Sequence, residues 1–121
     1  MGPAAPSPHR FPVGDNSAIR RLRDELGDDA AVDHFVTDFL TLLDDRLRSL
    51  HVLISQRRLE DSVTALLTIE TSSLMIGADE LASAATKLRL VVSEQRSDPL
   101  TPLLVELEDA AAQTKRDLSP A

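Results

Sequence analysis

The sequence predicts an all-α protein: an up-down antiparallel four-helix bundle with a short additional N-terminal helix. From Asp15 onward apolar residues recur with the helical period, and no stretch alternates apolar and polar residues as a half-buried strand does. The periodic stretches are interrupted by short breaks, at Gly27, Gly77 and Asp98-Pro99. Long amphipathic helices joined by short connections pack as antiparallel neighbours.

Residues 1–14 hold Pro3, Pro6, Pro8 and Pro12 with two glycines, a composition that opposes helix and strand alike. They read as a flexible tail, leaving residues 15–121 as one helical domain. Asp15 or Ser17 is placed to cap a first helix carrying Ile19, Leu22 and Leu26, which Gly27 ends. Asp28 and Asp29 start a long second helix, where carboxylates suit the helix dipole. At about 100° per residue, Val32, Phe35, Val36, Phe39, Leu43, Leu47, Leu50 and Ile54 share one face of it.

A third helix is expected from about Leu59 to Ile76, capped near Arg58 to Asp61 and stopped by Gly77. A fourth runs from Ala78 or Asp79 to Arg96, with Leu81, Ala84, Ala85, Leu88, Val91, Val92 and Gln95 on one stripe. Pro102 suits the first turn of a fifth helix, on which Leu100, Leu103, Leu104, Leu107, Ala110, Ala111, Thr114 and Leu118 align.

A chain of 121 residues with 42% hydrophobic residues buries one modest core. Its 20 acidic against 13 basic residues give a net charge of −7, which repels phosphate backbones and anionic membranes. Nucleic acid and membrane are therefore not expected as partners. Cysteine is absent, so thiolate chemistry and Cys-based zinc sites are excluded. The first residues lack the apolar run of a signal peptide, and no segment has the roughly 20 apolar residues of a membrane span. A cytoplasmic protein is expected.

The three histidines are the first candidates for chemistry. His9 falls in the tail. His34 points away from the apolar face of its helix, and its spacing to Asp38 is ordinary surface electrostatics. His51 sits at the edge of that face, with Arg48 three residues before it and Ser55 four residues after. None has metal-ligand spacing, so neither metal nor cofactor is expected. The paired carboxylates Asp28/Asp29, Asp44/Asp45, Glu60/Asp61 and Asp79/Glu80 diverge by about 100° on a helix and read as caps and solvated faces. With no phosphate-cradling loop and no activated nucleophile, the chain is not expected to be an enzyme.

The segment Leu66-Leu67-Thr68-Ile69-Glu70-Thr71-Ser72-Ser73, followed by Ile76-Gly77-Ala78-Asp79-Glu80-Leu81, resembles the histidine-containing phosphotransfer (HPt) domains of bacterial phosphorelays. In that family a helical bundle displays one exposed His in a motif Ala-His-x-Leu-Lys-Gly-Ser, followed by Leu-Gly-Ala and the next helix. The FVTDFLTLLDDRLRSL run and the Arg-Leu-Glu-Asp entry to the third helix are also similar, so the resemblance spans residues 15–118. It implies a two-component signalling module whose partner is a receiver domain or a histidine kinase.

The departures from the motif bear on the chemistry. On the family pattern the phospho-accepting His falls at Leu67, the Lys at Glu70 and the Gly at Thr71. Leucine has no nucleophilic nitrogen. A carboxylate at position 70 opposes a phosphoryl group rather than stabilising it, and Thr71 adds bulk where close approach is normal. The expectation is a pseudo-phosphotransfer domain with no acceptor at position 67, its partner-binding patch made of Thr64, Leu67, Glu70, Thr71, Leu74 and Met75. Two registers of the third helix remain open. In one, Leu59, Val63, Leu66, Leu67 and Leu74 form the core and enclose Glu70; in the other, Ser62, Leu66, Ile69, Ser73 and Ile76 do, and Leu67 lies outside. The second avoids burying an unpaired carboxylate and is favoured. Two other functions stay open: a phosphocarrier that uses His51, and a structural bundle that oligomerises through Leu90 and Val105. A monomer is expected rather than a dimer.

Overall fold

The computed structural model describes residues 17–118, which are helical apart from short connections. Five helices follow one another: α1 (Ser17–Leu26), α2 (Asp29–Ser55), α3 (Leu59–Ile76), α4 (Asp79–Ser93) and α5 (Leu100–Leu118). The stretch 1–14 with His9, the alternative cap Asp15 and residues 119–121 lie outside the described residues.

Glycine and aspartate set the first junction. Gly27 takes a left-handed φ of 89°, open to glycine without a Cβ penalty, and its N–H donates to the Arg23 carbonyl at 3.0 Å. Asp28 is extended, and its carboxylate accepts the Ala31 N–H at 2.7 Å, capping α2. Asp29 accepts from Arg23 Nε at 2.8 Å, tying α1 to α2.

The end of α3 shows the same logic. Gly77, at φ 81°, lets its N–H reach the Leu74 carbonyl and the Ala78 N–H reach Ser73, the two bonds of a Schellman turn. Arg58 stands at the N-terminus of α3 without a side-chain cap. The fourth helix is shorter than its apolar stripe suggests. It stops at Ser93, Gln95 turns left-handed at φ 52°, and Arg96 N–H closes onto Val91. Gln95 is therefore an exposed turn residue and not part of the stripe. Glu94, Gln95 and Arg96 offer nothing apolar to hold a further turn on the core, and Pro99 bars continuation.

Packing follows the apolar stripes. Val32, Val36, Phe39, Leu43 and Leu50 of α2 are buried, as are Leu81, Ala84, Ala85, Leu88, Val91 and Val92 of α4 and Leu107, Ala111, Thr114 and Leu118 of α5. The third helix lies against α1, α2 and α4, while α5 lies against α4 and α2. It buries Ser62, Leu66, Ile69, Ser73 and Ile76, the second of its two possible arcs.

Neighbouring leucines test this register. Leu66→Ala removes a side chain with 0% exposure and is expected to cost about 2–5 kcal/mol. Leu67→Ala, at a site 48% exposed, should stay within about 0.5 kcal/mol. Urea denaturation of the two variants reads the difference.

Candidate functional site

The exposed arc of α3 is set by what its opposite arc buries. Ser62 and Ser73 are small and fully buried, and their hydroxyls are satisfied inside the helix: Ser62 Oγ donates to the Arg58 carbonyl at 2.9 Å, Ser73 Oγ to Ile69 at 2.6 Å. Leu66 and Ile69 are buried between them, and Ile76 is buried beyond Ser73. The opposite arc then faces solvent, with Leu67 48%, Leu74 55% and Met75 51% exposed.

Thr64, Thr68 and Thr71 are exposed in the same strip. Thr64 Oγ1 donates to the Glu60 carbonyl at 3.3 Å and Thr68 Oγ1 to Thr64 at 3.1 Å, so these hydroxyl protons are spent on the helix itself. Relative to Leu67, Thr71 lies about 40° and Thr64 about 60° to one side, and Leu74 about 20° to the other. The middle of the strip is thus apolar and hydroxyl-bearing. Met75 adjoins α1, where it lines a shallow recess with Arg21, Leu22 and Glu25.

Two basic residues that sequence reasoning missed flank this strip. Arg89 of α4 donates from Nε to Glu70 Oε1 at 2.8 Å, with Nη2 at 3.5 Å from Oε2. The two side chains retain only 24% and 16% exposure. Glu70 is therefore not the bare charge that its sequence position implies: its carboxylate is neutralised from the next helix. The hydrogen bond from Arg89 holds the Glu70 carboxyl below its usual 4.5, outweighing partial burial, which acts in the opposite direction. On the other flank Arg46 of α2 points Nη1 at Ser72 Oγ, 3.4 Å away. The available signals were slight: an arginine off the stripe of α4, and another beside the seam of α2.

The histidines sit elsewhere. His51 is exposed on α2, and its Nε2 meets a carboxylate oxygen of Glu108 on α5. The two side chains that its spacing offered as helpers are engaged: Arg48 pairs with Asp45, and Ser55 Oγ donates to the Val52 carbonyl at 2.9 Å. His34 is exposed. Among the described residues no group of three His, Cys, Asp or Glu side chains is placed to hold a metal ion, and no helix is long and apolar enough to cross a membrane. Of the acidic pairs, Asp28 caps α2, and Asp29, Asp44, Asp45 and Asp61 form ion pairs, with Asp44 on Lys115 at 2.6 Å and Asp61 on Arg58 at 2.6 Å. Glu60, Asp79 and Glu80 are exposed in the first turns of their helices. Leu90 and Val105 are exposed at 39% and 48% on α4 and α5.

No family model, no curated protein and no solved structure matches this chain.

The Glu70–Arg89 pair predicts a pH dependence. A carboxyl whose pKa is lowered by folding adds stability above its unfolded value, and that stability is lost as pH falls through the lower folded value. Glu70→Gln is expected to cost about 0.5–1.5 kcal/mol at pH 7, because the amide oxygen can still accept from Arg89 and solvent screens the pair. The deficit should begin to shrink as pH falls below the ordinary value of 4.5, where the unfolded chain takes up the proton, and vanish once pH passes the lower folded value, where the wild-type carboxyl is protonated as well. Thermal melts of both proteins between neutral pH and that range check this.

Proposed function

We propose that the chain is a signalling interaction module similar to HPt domains, a pseudo-phosphotransfer domain of a bacterial two-component system. It binds a receiver domain or a histidine kinase through the exposed strip of α3, accepts no phosphate at position 67 and catalyses no reaction of its own. Such a partner places it in the cytoplasm. The observation that carries this reading is the exposure of Leu67, Leu74 and Met75 on a helix whose other side completes the core. Packing does not require apolar residues at those three positions, and large apolar side chains left exposed along one helix face suit a protein partner.

In this reading α2 to α5 form an up-down bundle, with α1 as the short extra helix. Cross-helix contacts support that arrangement. His51 meets Glu108; seven residues back along α2, Asp44 meets Lys115, seven residues further along α5. Lys87 of α4 meets Glu106 of α5, and Glu80 shares a recess with Gln113, again seven back and seven forward. Contacts that step in opposite directions suit antiparallel helices.

Two measurements test the function. Calorimetric titration of purified receiver domains should show binding that Leu67→Asp weakens at least about tenfold, because the introduced charge would be buried against an apolar partner. The melting temperature of the variant should be unchanged. Receiver binding indifferent to Leu67→Asp would overturn the docking face.

Treatment with phosphoramidate, followed by intact-mass measurement, should leave the chain unmodified while an active HPt domain is labelled in parallel. A stoichiometric, acid-labile adduct on His51 or His34 would instead make the chain a working phosphocarrier.

A further inference from the structure

Among the described residues seven of the twelve basic side chains reach a carboxylate, Lys115 on Asp44 among them, and of the other five only Arg46 is partly buried. Arg23, Arg48, Arg58, Lys87, Arg89 and Arg96 each reach a carboxylate. Arg46 does not: it is partly buried, and its one polar partner among the described residues is the neutral hydroxyl of Ser72, at a long 3.4 Å. In a sequence with 20 acidic and 13 basic residues, carboxylates are in excess, so a partly buried arginine without one is a local exception.

Its position gives that exception a direction. Ser72 follows Thr71 and precedes Leu74 by two residues on α3, so the guanidinium borders the exposed strip from the α2 side. On the other side the Glu70 charge is already taken by Arg89. Farther along, Arg21 lines the recess beside Met75, with Glu25 the one carboxylate in that recess. Beside the C-terminal half of α3, Arg46 is therefore the cation that no carboxylate among the described residues offsets, while Arg21 shares its recess with Glu25.

We infer that the partner docked on α3 brings a carboxylate to Arg46, so that the face recognises a protein surface combining apolar side chains with an aspartate or glutamate. The physical reason is desolvation. A partner closing over Leu67, Leu74 and Met75 also removes water from Arg46, and a guanidinium dried against a hydroxyl alone is costly. A carboxylate replaces the lost hydration with a charge-assisted, two-pronged bond. A wholly apolar partner leaves the charge unmatched and is disfavoured. At the other end of α3, Glu60 is exposed, which orients the partner with its acidic group over Arg46 and away from Glu60.

This inference rests on the proposed docking of a receiver domain at α3, and the test separates the two. Purified receiver domains encoded in the same genome are titrated into the wild type, Arg46→Gln, Arg46→Glu and Leu67→Asp at about 0.05 and about 0.3 M NaCl. Arg46→Gln should weaken binding about tenfold and flatten its salt dependence, and Arg46→Glu should weaken it further. Lys87→Gln, on the α4–α5 side, should leave affinity unchanged. Replacing the facing carboxylate of the receiver by lysine should restore binding to Arg46→Glu. Arg46→Gln loses one weak hydrogen bond, and its melting curve verifies the fold. A receiver that needs Leu67 but ignores both Arg46 variants overturns the inference and leaves the docking face standing. A panel in which neither the receiver domains nor the histidine kinases of that genome bind, or self-association abolished by Leu67→Asp, overturns both.

Discussion

The packing of α3 against α2 and α4 governs which groups of this molecule reach solvent. Five residues carry it, and two of them are serines whose hydroxyls turn back onto their own helix. Small side chains let neighbouring backbones approach, and satisfied hydroxyls remove the penalty for burying them. A rotation of the helix by one residue, about 100°, would drive Leu67 or Glu70 toward the interior and lift Leu66 or Ile69 out. Exposure of Leu67, Leu74 and Met75 is thus a consequence of the serine-lined seam, not an independent choice.

The same register decides the electrostatics. Glu70 lies at the margin of the buried arc, close enough to α4 for Arg89 to reach it, and the pair leaves the middle of the exposed strip without an unmatched carboxylate. Arg46 lies at the opposite margin and meets only Ser72. The net charge of −7 therefore says little about this face. A partner approaching the molecule at long range meets an acidic protein, while one docked on α3 meets a neutral strip with an arginine at its edge.

Most of the helix boundaries were legible in the sequence because each has a local cause. Gly27, Asp28 and Gly77 act within a few residues, and apolar periodicity on α2, α4 and α5 needs no knowledge of neighbours. The end of α4 was not legible, since the left-handed turn at Gln95 uses a residue with no such preference. At the candidate site, the exposure of Leu67 could be argued from the cost of burying Glu70 unpaired. The actual partner of that carboxylate could not, because Arg89 comes from another helix and its register against α3 is a property of the packed bundle. Arg46 escaped notice for the same reason.

Apolar exposure alone gives a weak interface. Leu67, Leu74 and Met75 each keep roughly half their surface in water, and burying the remainder gains about 1 kcal/mol per side chain at the usual area coefficient. The sum is smaller than most estimates of the rigid-body cost of association, about 4 kcal/mol or more. The threonines beside them add surface but few donors, since Thr64 and Thr68 bond their own helix. Any partner held here must find further affinity at the margins of the strip, and the margins differ: Glu70 is already matched, while Arg46 is not. Specificity then follows from Arg46, the partly buried cation at this margin that reaches no carboxylate among the described residues, because a partner that fails to match it is penalised and one that succeeds gains a charge-assisted bond.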